Sequence, residues 1–236
     1  MQKTSIDLYC LPCAGASATM YLRWRRLLPN WIKVVPVELP GRGMRMGEPY
    51  SESYHELIEL ICDDIAHRLP ERWALFGHSM GALLAFGVAS RLREKGLSLP
   101  MILFASGSAA PSRRYVERIP DTDDNTALVN ELRKQGGTPQ EVFDSAELLQ
   151  LTLNTLRSDY RICKSYRHTP AEPFSFPITA FAGRQDDIEL DRVEAWWDET
   201  EQGFSLHWFE GGHFFIKDKE EHVLRTIEKH LAIEKR

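Results

Sequence analysis

Short apolar runs alternate with stretches of helical periodicity along most of the chain. The runs that predict strands are Ile6 to Leu11, Val34 to Leu39, Trp73 to Phe76, Met101 to Ala105, Ile178 to Ala182 and Ser205 to Phe209. The stretches that predict helices are Tyr21 to Leu28, Tyr54 to Leu69, Met80 to Lys95, Asp191 to Trp197 and Glu220 to Ile233. Continuously apolar strands separated by helices are typical of a parallel sheet covered on both faces. The pattern therefore predicts an α/β fold with a mostly parallel central sheet.

The alternation stops once, between residues 111 and 176, where helix signals occur without a convincing strand. Gly136-Gly137 is predicted to end one helix. Thr138-Pro139-Gln140-Glu141 is predicted to begin the next, as an N-cap, a proline at the first helical position and a capping-box glutamate. We interpret 111–176 as a helical lid inserted into a single domain of residues 1–236. Such a lid bounds a substrate chamber and can close over it.

The composition argues against nucleic-acid-binding and membrane-spanning proteins. The chain has 236 residues, of which 43% are hydrophobic and 27% charged, with a net charge of -5. These values are sufficient for one large core, and the lack of a basic run argues against a nucleic-acid partner. No stretch approaches the roughly 20 apolar residues of a membrane span, and the polar start lacks a signal peptide. We therefore expect a cytoplasmic protein.

The four cysteines are compatible with reduced thiols in such a protein. Cys10-Leu-Pro-Cys13 matches a Cys-x-x-Cys pattern, but it closes a predicted strand instead of opening a helix, as a redox pair would. No second pair with suitable spacing completes a zinc site. The sequence predicts neither a metal nor a cofactor.

The segment Gly77-His78-Ser79-Met80-Gly81 carries a Gly-x-Ser-x-Gly motif between a predicted strand and a predicted helix. This is the context of a nucleophile elbow, in which a sharp turn lifts the serine hydroxyl above the sheet. A Cβ atom at Gly77 or Gly81 would collide with the neighbouring strand and helix. We therefore predict that Ser79 is a catalytic nucleophile.

An acid and a base follow this serine along the chain. His213 lies in a glycine-rich loop after the last predicted strand, where its imidazole can accept the Ser79 proton. Asp186 follows another predicted strand, and a carboxylate there can fix the imidazole tautomer. Asp187 is the alternative acid, although the Gly-x-x-Asp spacing favours Asp186. The order serine, acid, histidine is that of the α/β-hydrolase fold.

Acyl transfer also needs backbone N–H donors that stabilise the oxyanion. Met80 supplies one by its position directly after the nucleophile. The second is predicted in the loop Pro12-Cys13-Ala14-Gly15-Ala16, whose small residues allow close approach of the substrate. We assign it to Ala14, with Cys13 as the alternative. The loop lacks the spaced glycines of a dinucleotide-binding turn.

Six segments together resemble one family. They are Leu11-Pro-Cys-Ala-Gly-Ala-Ser-Ala18, Glu38-Leu-Pro-Gly-Arg-Gly43, Gly77-His-Ser-Met-Gly81, Gly136-Gly-Thr-Pro-Gln-Glu141, Glu147-Leu-Leu149 and Leu156-Arg-Ser-Asp-Tyr160. The chain resembles the stand-alone type II thioesterases that accompany nonribosomal peptide and polyketide synthases. Three of the segments lie in the lid, where unrelated esterases and lipases are not expected to match. One departure is Ala16, where the family usually has glycine.

The resemblance implies a serine thioesterase that removes stalled acyl or aminoacyl groups from the phosphopantetheine arm of carrier domains, through an acyl-enzyme on Ser79. Carrier domains are commonly acidic, so Arg113, Arg114 and Arg118 are predicted to steer docking. We expect a monomer, because no coiled-coil or repeat signal is found in the sequence.

Other functions fit part of the same pattern. A general carboxylesterase or lipase would use the same triad on oxygen esters, and the lid motifs argue against it. A macrocyclising domain of a larger synthase would follow a carrier domain or linker, whereas the first predicted strand begins close to Met1. A non-catalytic regulator that binds carrier domains would be expected to lack a triad residue, and all three are present.

Overall fold

A computed structural model describes residues 5–114, 119–120 and 123–233. Its sheet is built from the strands β1 (Ile6–Leu11), β2 (Ile32–Pro36), β3 (Trp73–His78), β4 (Leu103–Ser106), β5 (Ile178–Gly183) and β6 (Phe204–Phe209). They lie in the order β2-β1-β3-β4-β5-β6, and every neighbouring pair is parallel. The predicted parallel sheet is confirmed. The prediction for β2 was shifted, since this strand begins at Ile32 and ends at Pro36.

Helices cover both faces of the sheet. They are α1 (Trp24–Leu27), α2 (Tyr54–Ala66), α3 (Met80–Glu94), α4 (Asn125–Gln135), α5 (Gln140–Asp144), α6 (Ala146–Ser165), α7 (Leu190–Glu194), α8 (Phe215–Asp218) and α9 (Glu220–Ile233). Short 3-10 turns occur at Ala18–Tyr21, Gly43–Arg45, Pro111–Arg113 and Ala195–Glu199. In the described part of the chain, no helix combines the length and the apolarity needed to cross a membrane.

Two hydrophobic cores form on opposite faces of the sheet because successive strand residues point in opposite directions. Leu8 and Cys10 of β1 pack on the side of α1 and α9. Tyr9 and Leu11 of the same strand pack on the side of α2 and α3. This double burial explains why the strands are continuously apolar and do not alternate with polar residues.

The segment between β4 and β5 forms a third cluster, in which leucines of α4 and α6 pack together. Helix α4 ends at Gln135 and is capped by Gly136, which has a left-handed φ of 73°, so the helix ends where Gly136-Gly137 predicted. The predicted start of α5 was wrong by one residue, since Pro139 occupies the N-cap position with an extended backbone and no side-chain cap. The helix therefore begins at Gln140, without the expected capping box.

Candidate active site

Ser79 joins β3 to α3 in a strained conformation, with φ of 56° and ψ of -114°. Within the described ranges it is the one residue other than glycine that has a positive φ. Non-glycine residues rarely adopt such a conformation unless the surrounding structure imposes it, and they are concentrated at functional sites. Here the strain places the serine at the carboxyl end of the sheet, directly before the first turn of α3.

The two glycines of the motif are required by the packing on either side of Ser79. A Cβ atom on Gly77 would overlap the backbone carbonyl of Gly81 in α3. A Cβ atom on Gly81 would overlap the backbone carbonyl of Leu11 at the end of β1. The elbow therefore brings strand and helix backbones closer together than any residue with a side chain allows.

The imidazole of His213 is oriented by the carboxylate of Asp186. Nδ1 of His213 lies 2.8 Å from Oδ2 of Asp186, whose side chain is only 4% exposed. The other carboxylate oxygen accepts a hydrogen bond of 2.8 Å from the backbone N–H of Asp187. This arrangement leaves Nε2 of His213 as the ring nitrogen that can serve a nucleophile.

Asp187 makes a different contact. Its side chain is 67% exposed, and Oδ2 lies 2.7 Å from Nζ of Lys134 in α4. The carboxylate of Asp187 thus links α4 to the loop that follows β5. The geometry favours Asp186 over Asp187 as the partner of His213.

Ser79, Asp186 and His213 line one cavity with a volume of about 640 Å³. The cavity lies at the carboxyl end of the sheet, and its wall includes residues of the loops that follow β4 and β5 and residues of α4. Further lining residues are Gly107, Ser108, Arg114, Glu131, Gln135 and Tyr160. The structure therefore brings together three side chains that are far apart in the sequence.

Of the arginines predicted near the lid, Arg114 lines this cavity and donates a hydrogen bond of 3.1 Å from Nη1 to Oγ of Ser108. Arg113 is exposed in the 3-10 turn that follows β4. Arg118 lies outside the described residues.

The loop after β1 forms a tight turn. The N–H of Ala16 donates to the carbonyl of Cys13 at 3.1 Å, and Gly15 has a φ of 76°. A positive φ at the third position is the requirement of a type II turn. Within residues 5–114, 119–120 and 123–233, the N–H groups of Ala14 and Met80 donate to no backbone carbonyl of the loops and turns. These donors remain available to a substrate.

The loop residues Cys13 to Ala16 line a second cavity of about 260 Å³, and Gln135 of α4 lines both cavities. The candidate second oxyanion donor therefore lies in the wall of the second cavity, and Gln135 belongs to the walls of both. Neither Gln135 nor the division into two cavities was predicted from the sequence, because they depend on how α4 packs over the sheet.

His78 is a further residue of the site whose position sequence reasoning did not identify. Its side chain is fully buried, Nδ1 lies 3.0 Å from Oγ of Ser106, and its ring centre lies 5.0 Å from that of His213. Burial lowers the pKa of His78 well below its usual value, and the charges of His213 and Lys217 lower it further. The His78 imidazole is therefore neutral at pH 7 and packs against the ring of His213.

The low pKa of His78 predicts a loss of stability in acid. Below about pH 6.5 the unfolded chain binds a proton that the folded His78 does not, so the free energy of unfolding falls with falling pH. Between pH 6.5 and 5.5 this residue is expected to contribute a loss of about 1 kcal/mol. His207 and His230, whose pKa values burial also lowers, act in the same direction.

Urea unfolding at pH 7.5, 6.5 and 5.5 checks this expectation. His78→Asn should reduce the loss between pH 6.5 and 5.5, whatever its effect on stability at pH 7.5. His55→Asn is the matched control, because the His55 side chain is 81% exposed. An equal pH dependence in the wild type and in His78→Asn would contradict the assignment of a neutral imidazole.

The Cys10 and Cys13 thiols are free and buried. Burial raises the pKa of Cys13 to about 12 and that of Cys10 well above its usual value. Thiol exchange needs a thiolate, so these side chains are poorly suited to redox chemistry at neutral pH. Among the described residues, no group of three or more His, Cys, Asp or Glu side chains has an arrangement that could hold a metal ion.

Comparison with known proteins places the chain in a family. The thioesterase domain model matches residues 7–231. The chain belongs to the thioesterase family. Its relatives include the gramicidin S biosynthesis protein GrsT of Aneurinibacillus migulanus, which is 33% identical to this thioesterase over 233 residues, covering 97% of this chain and 90% of GrsT.

Solved structures agree with that assignment. ClbQ from the colibactin nonribosomal peptide and polyketide pathway superposes on this thioesterase with a TM-score of 0.89 at 30% identity, covering 98% of both chains. The type II thioesterase BorB from the borrelidin cluster gives a TM-score of 0.86 at 36% identity, covering 99% of this chain and 94% of BorB. The predicted α/β-hydrolase fold and the predicted type II thioesterase family are both confirmed, and the family's activity is thioester hydrolysis.

Proposed function

We propose that this thioesterase edits a nonribosomal peptide or polyketide synthase by hydrolysing stalled acyl or aminoacyl groups from the phosphopantetheine arm of its carrier domains. The main support for the mechanism is the hydrogen bond from His213 to the buried Asp186. Both side chains line the cavity that is also lined by Ser79, whose backbone is strained. Nucleophile, base and orienting acid are the elements needed for acyl transfer.

In the first half of the reaction, Oγ of Ser79 attacks the thioester carbonyl while Nε2 of His213 accepts the hydroxyl proton. Asp186 holds the Nδ1 proton and stabilises the imidazolium. The backbone N–H groups of Met80 and Ala14 donate to the oxyanion, with Cys13 as the alternative to Ala14. When the tetrahedral intermediate collapses, the carbon–sulfur bond breaks and the imidazolium protonates the leaving phosphopantetheine sulfur.

In the second half, a water molecule replaces the carrier thiol. His213 removes a proton from the water as it attacks the acyl-enzyme, and the same N–H groups stabilise the second oxyanion. Collapse of this intermediate returns the proton to Oγ of Ser79 and releases a carboxylic acid. The cycle restores the free enzyme without a cofactor.

The proposed partner is a carrier domain that presents its arm at the cavity. This proposal is supported by the kinship with GrsT and BorB, whose names associate them with gramicidin S biosynthesis and the borrelidin cluster. We propose that residues 1–236 act as one catalytic domain and as a monomer, with 111–176 as the lid and Arg113 and Arg114 close to the entry. The cytoplasm is the expected compartment.

A substrate panel tests the proposed function. Acetyl and alanyl groups would be offered on a phosphopantetheinylated carrier domain, on coenzyme A and as a simple oxygen ester. We expect kcat/KM to be at least about tenfold higher for the carrier-bound thioester than for the coenzyme A thioester or the oxygen ester. The reason is that only the carrier adds binding energy remote from the reacting bond. Faster hydrolysis of the oxygen ester would instead identify a general esterase.

A further inference from the structure

A buried ion pair joins the lid to the body next to the loop that follows β1. Asp159 of α6 is 0% exposed, and Arg42 follows β2. Nη1 and Nη2 of Arg42 each lie 2.6 Å from an oxygen of the Asp159 carboxylate. This two-pronged geometry is the strongest form of an ion pair in proteins. Neither residue takes part in the proton transfers described above.

Both members of the pair also bind the turn that contains Ala14. The N–H of Gly15 donates to Oδ2 of Asp159 at 2.8 Å, and Nη1 of Arg42 donates to the carbonyl of Ala16 at 3.1 Å. The first of these bonds belongs to the peptide group that links Ala14 to Gly15. The turn is thus held on both sides of Gly15 by charged groups that are themselves buried.

Stability alone does not account for this arrangement. Removing two charges from water is costly, and well-packed apolar side chains in their place are often equally stable or more stable. A buried ion pair also fixes the orientation of the backbone groups that are bonded to it. This matters at an oxyanion hole, because the N–H donors act only when they point at the developing charge. The peptide group that Asp159 binds directly follows the one that carries the N–H of Ala14, and the N–H of Ala14 is the donor whose orientation must be fixed.

We propose that Asp159, held by Arg42, is a positioning residue that aligns the N–H of Ala14 with the oxyanion. The proposal rests on the proposed function, because it assumes that the turn supplies an oxyanion donor. Since Asp159 belongs to α6, the donor is aligned only when this lid helix is docked on the body. Packing of the lid and stabilisation of the transition state are therefore coupled through one carboxylate.

The test uses the full-length protein and a carrier-bound acetyl thioester. Asp159→Asn keeps the shape of the side chain but removes its charge, so Arg42 loses its counter-ion and one bonded oxygen becomes an amide donor. We expect kcat to fall by about 10- to 100-fold with KM changed by less than about threefold, as for partial loss of one oxyanion donor. Asp64→Asn is the matched control, since Asp64 pairs with Arg45 at 2.6 Å and, among the described residues, is not hydrogen-bonded to the turn.

Two further measurements distinguish a misaligned oxyanion donor from a loss of the folded structure. Binding of a boronic acid that forms a tetrahedral adduct with Ser79 should weaken in Asp159→Asn by the same factor as kcat, whereas binding of an unreactive amide analogue of the substrate should not change. The double variant Arg42→Met with Asp159→Leu replaces the pair by apolar side chains. It should melt within a few degrees of the wild type and still show the low kcat.

Recovery of wild-type kcat in the double variant would show that the pair serves packing only and would overturn the proposal. A normal kcat in folded Asp159→Asn would overturn it as well. The proposed function fails independently, since in that case the wild type itself would not hydrolyse the carrier-bound thioester.

Discussion

Replacing Ser79 with alanine is expected to lower kcat for carrier-bound thioesters by about 10⁴-fold or more. Without Oγ no acyl-enzyme forms, and the remaining oxyanion donors retain only a small part of the catalysis. Binding of the carrier should be unchanged, because the hydroxyl is a small part of the surface that the arm contacts. Single-turnover hydrolysis together with calorimetric titration of the carrier measures both quantities.

Ser205→Ala provides the comparison for this variant. Ser205 lies on the edge strand β6 and lines neither of the two cavities described above. It should keep wild-type turnover, which shows that losing a serine hydroxyl as such has no effect. If Ser79→Ala kept wild-type turnover as well, Ser79 would not be the nucleophile. If it lost carrier binding and turnover to the same extent, a binding role would replace the catalytic one.

The second large effect is expected for Asp186→Asn, which should lower kcat by about 10³- to 10⁴-fold. The Asn side chain can occupy the same space, but its amide does not stabilise the imidazolium, and it can hold His213 in the wrong tautomer. The change affects the transition state more than the bound substrate, so KM should vary little. Steady-state kinetics with the carrier substrate gives both parameters.

Asp187→Asn is the matched control because it is the same substitution one residue later. Its exposed carboxylate pairs with Lys134, whereas His213 bonds to Asp186, so kcat should remain within about threefold of the wild type. The reverse result, with a large loss in Asp187→Asn and a small one in Asp186→Asn, would move the role of the acid to Asp187. Comparable losses in both variants would show that the hydrogen bond from His213 to Asp186 is not the decisive contact.

The fold was largely predictable because it depends on local and repetitive features. Strands buried on both faces must be continuously apolar, and this pattern is visible without any knowledge of their neighbours. Some predicted boundaries were wrong, in one case because a single residue changes the backbone. The start of α5 is an example, because the extended conformation of Pro139 excludes it from the helix.

The site was predictable to the extent that its chemistry has a local signature. Gly77 and Gly81 mark the elbow because the strand and helix backbones leave no room for Cβ atoms. By contrast, the Gly-x-x-Asp spacing favours Asp186 but leaves Asp187 open as the alternative acid. Only the direction of each carboxylate separates them, and that direction depends on the loop that carries His213.

The sequence by itself determined the parallel sheet, the family and the order of serine, acid and histidine, because each leaves a pattern in neighbouring residues. The tertiary structure decided which groups meet. Asp159 and Arg42 are 117 residues apart, yet they share two hydrogen bonds around the turn of Ala14. Such contacts depend on how α6 packs against the rest of the protein, and the identity of a residue does not reveal its distant neighbours. For this reason the contacts of Asp159 and Arg42 with the loop after β1 became visible only in three dimensions.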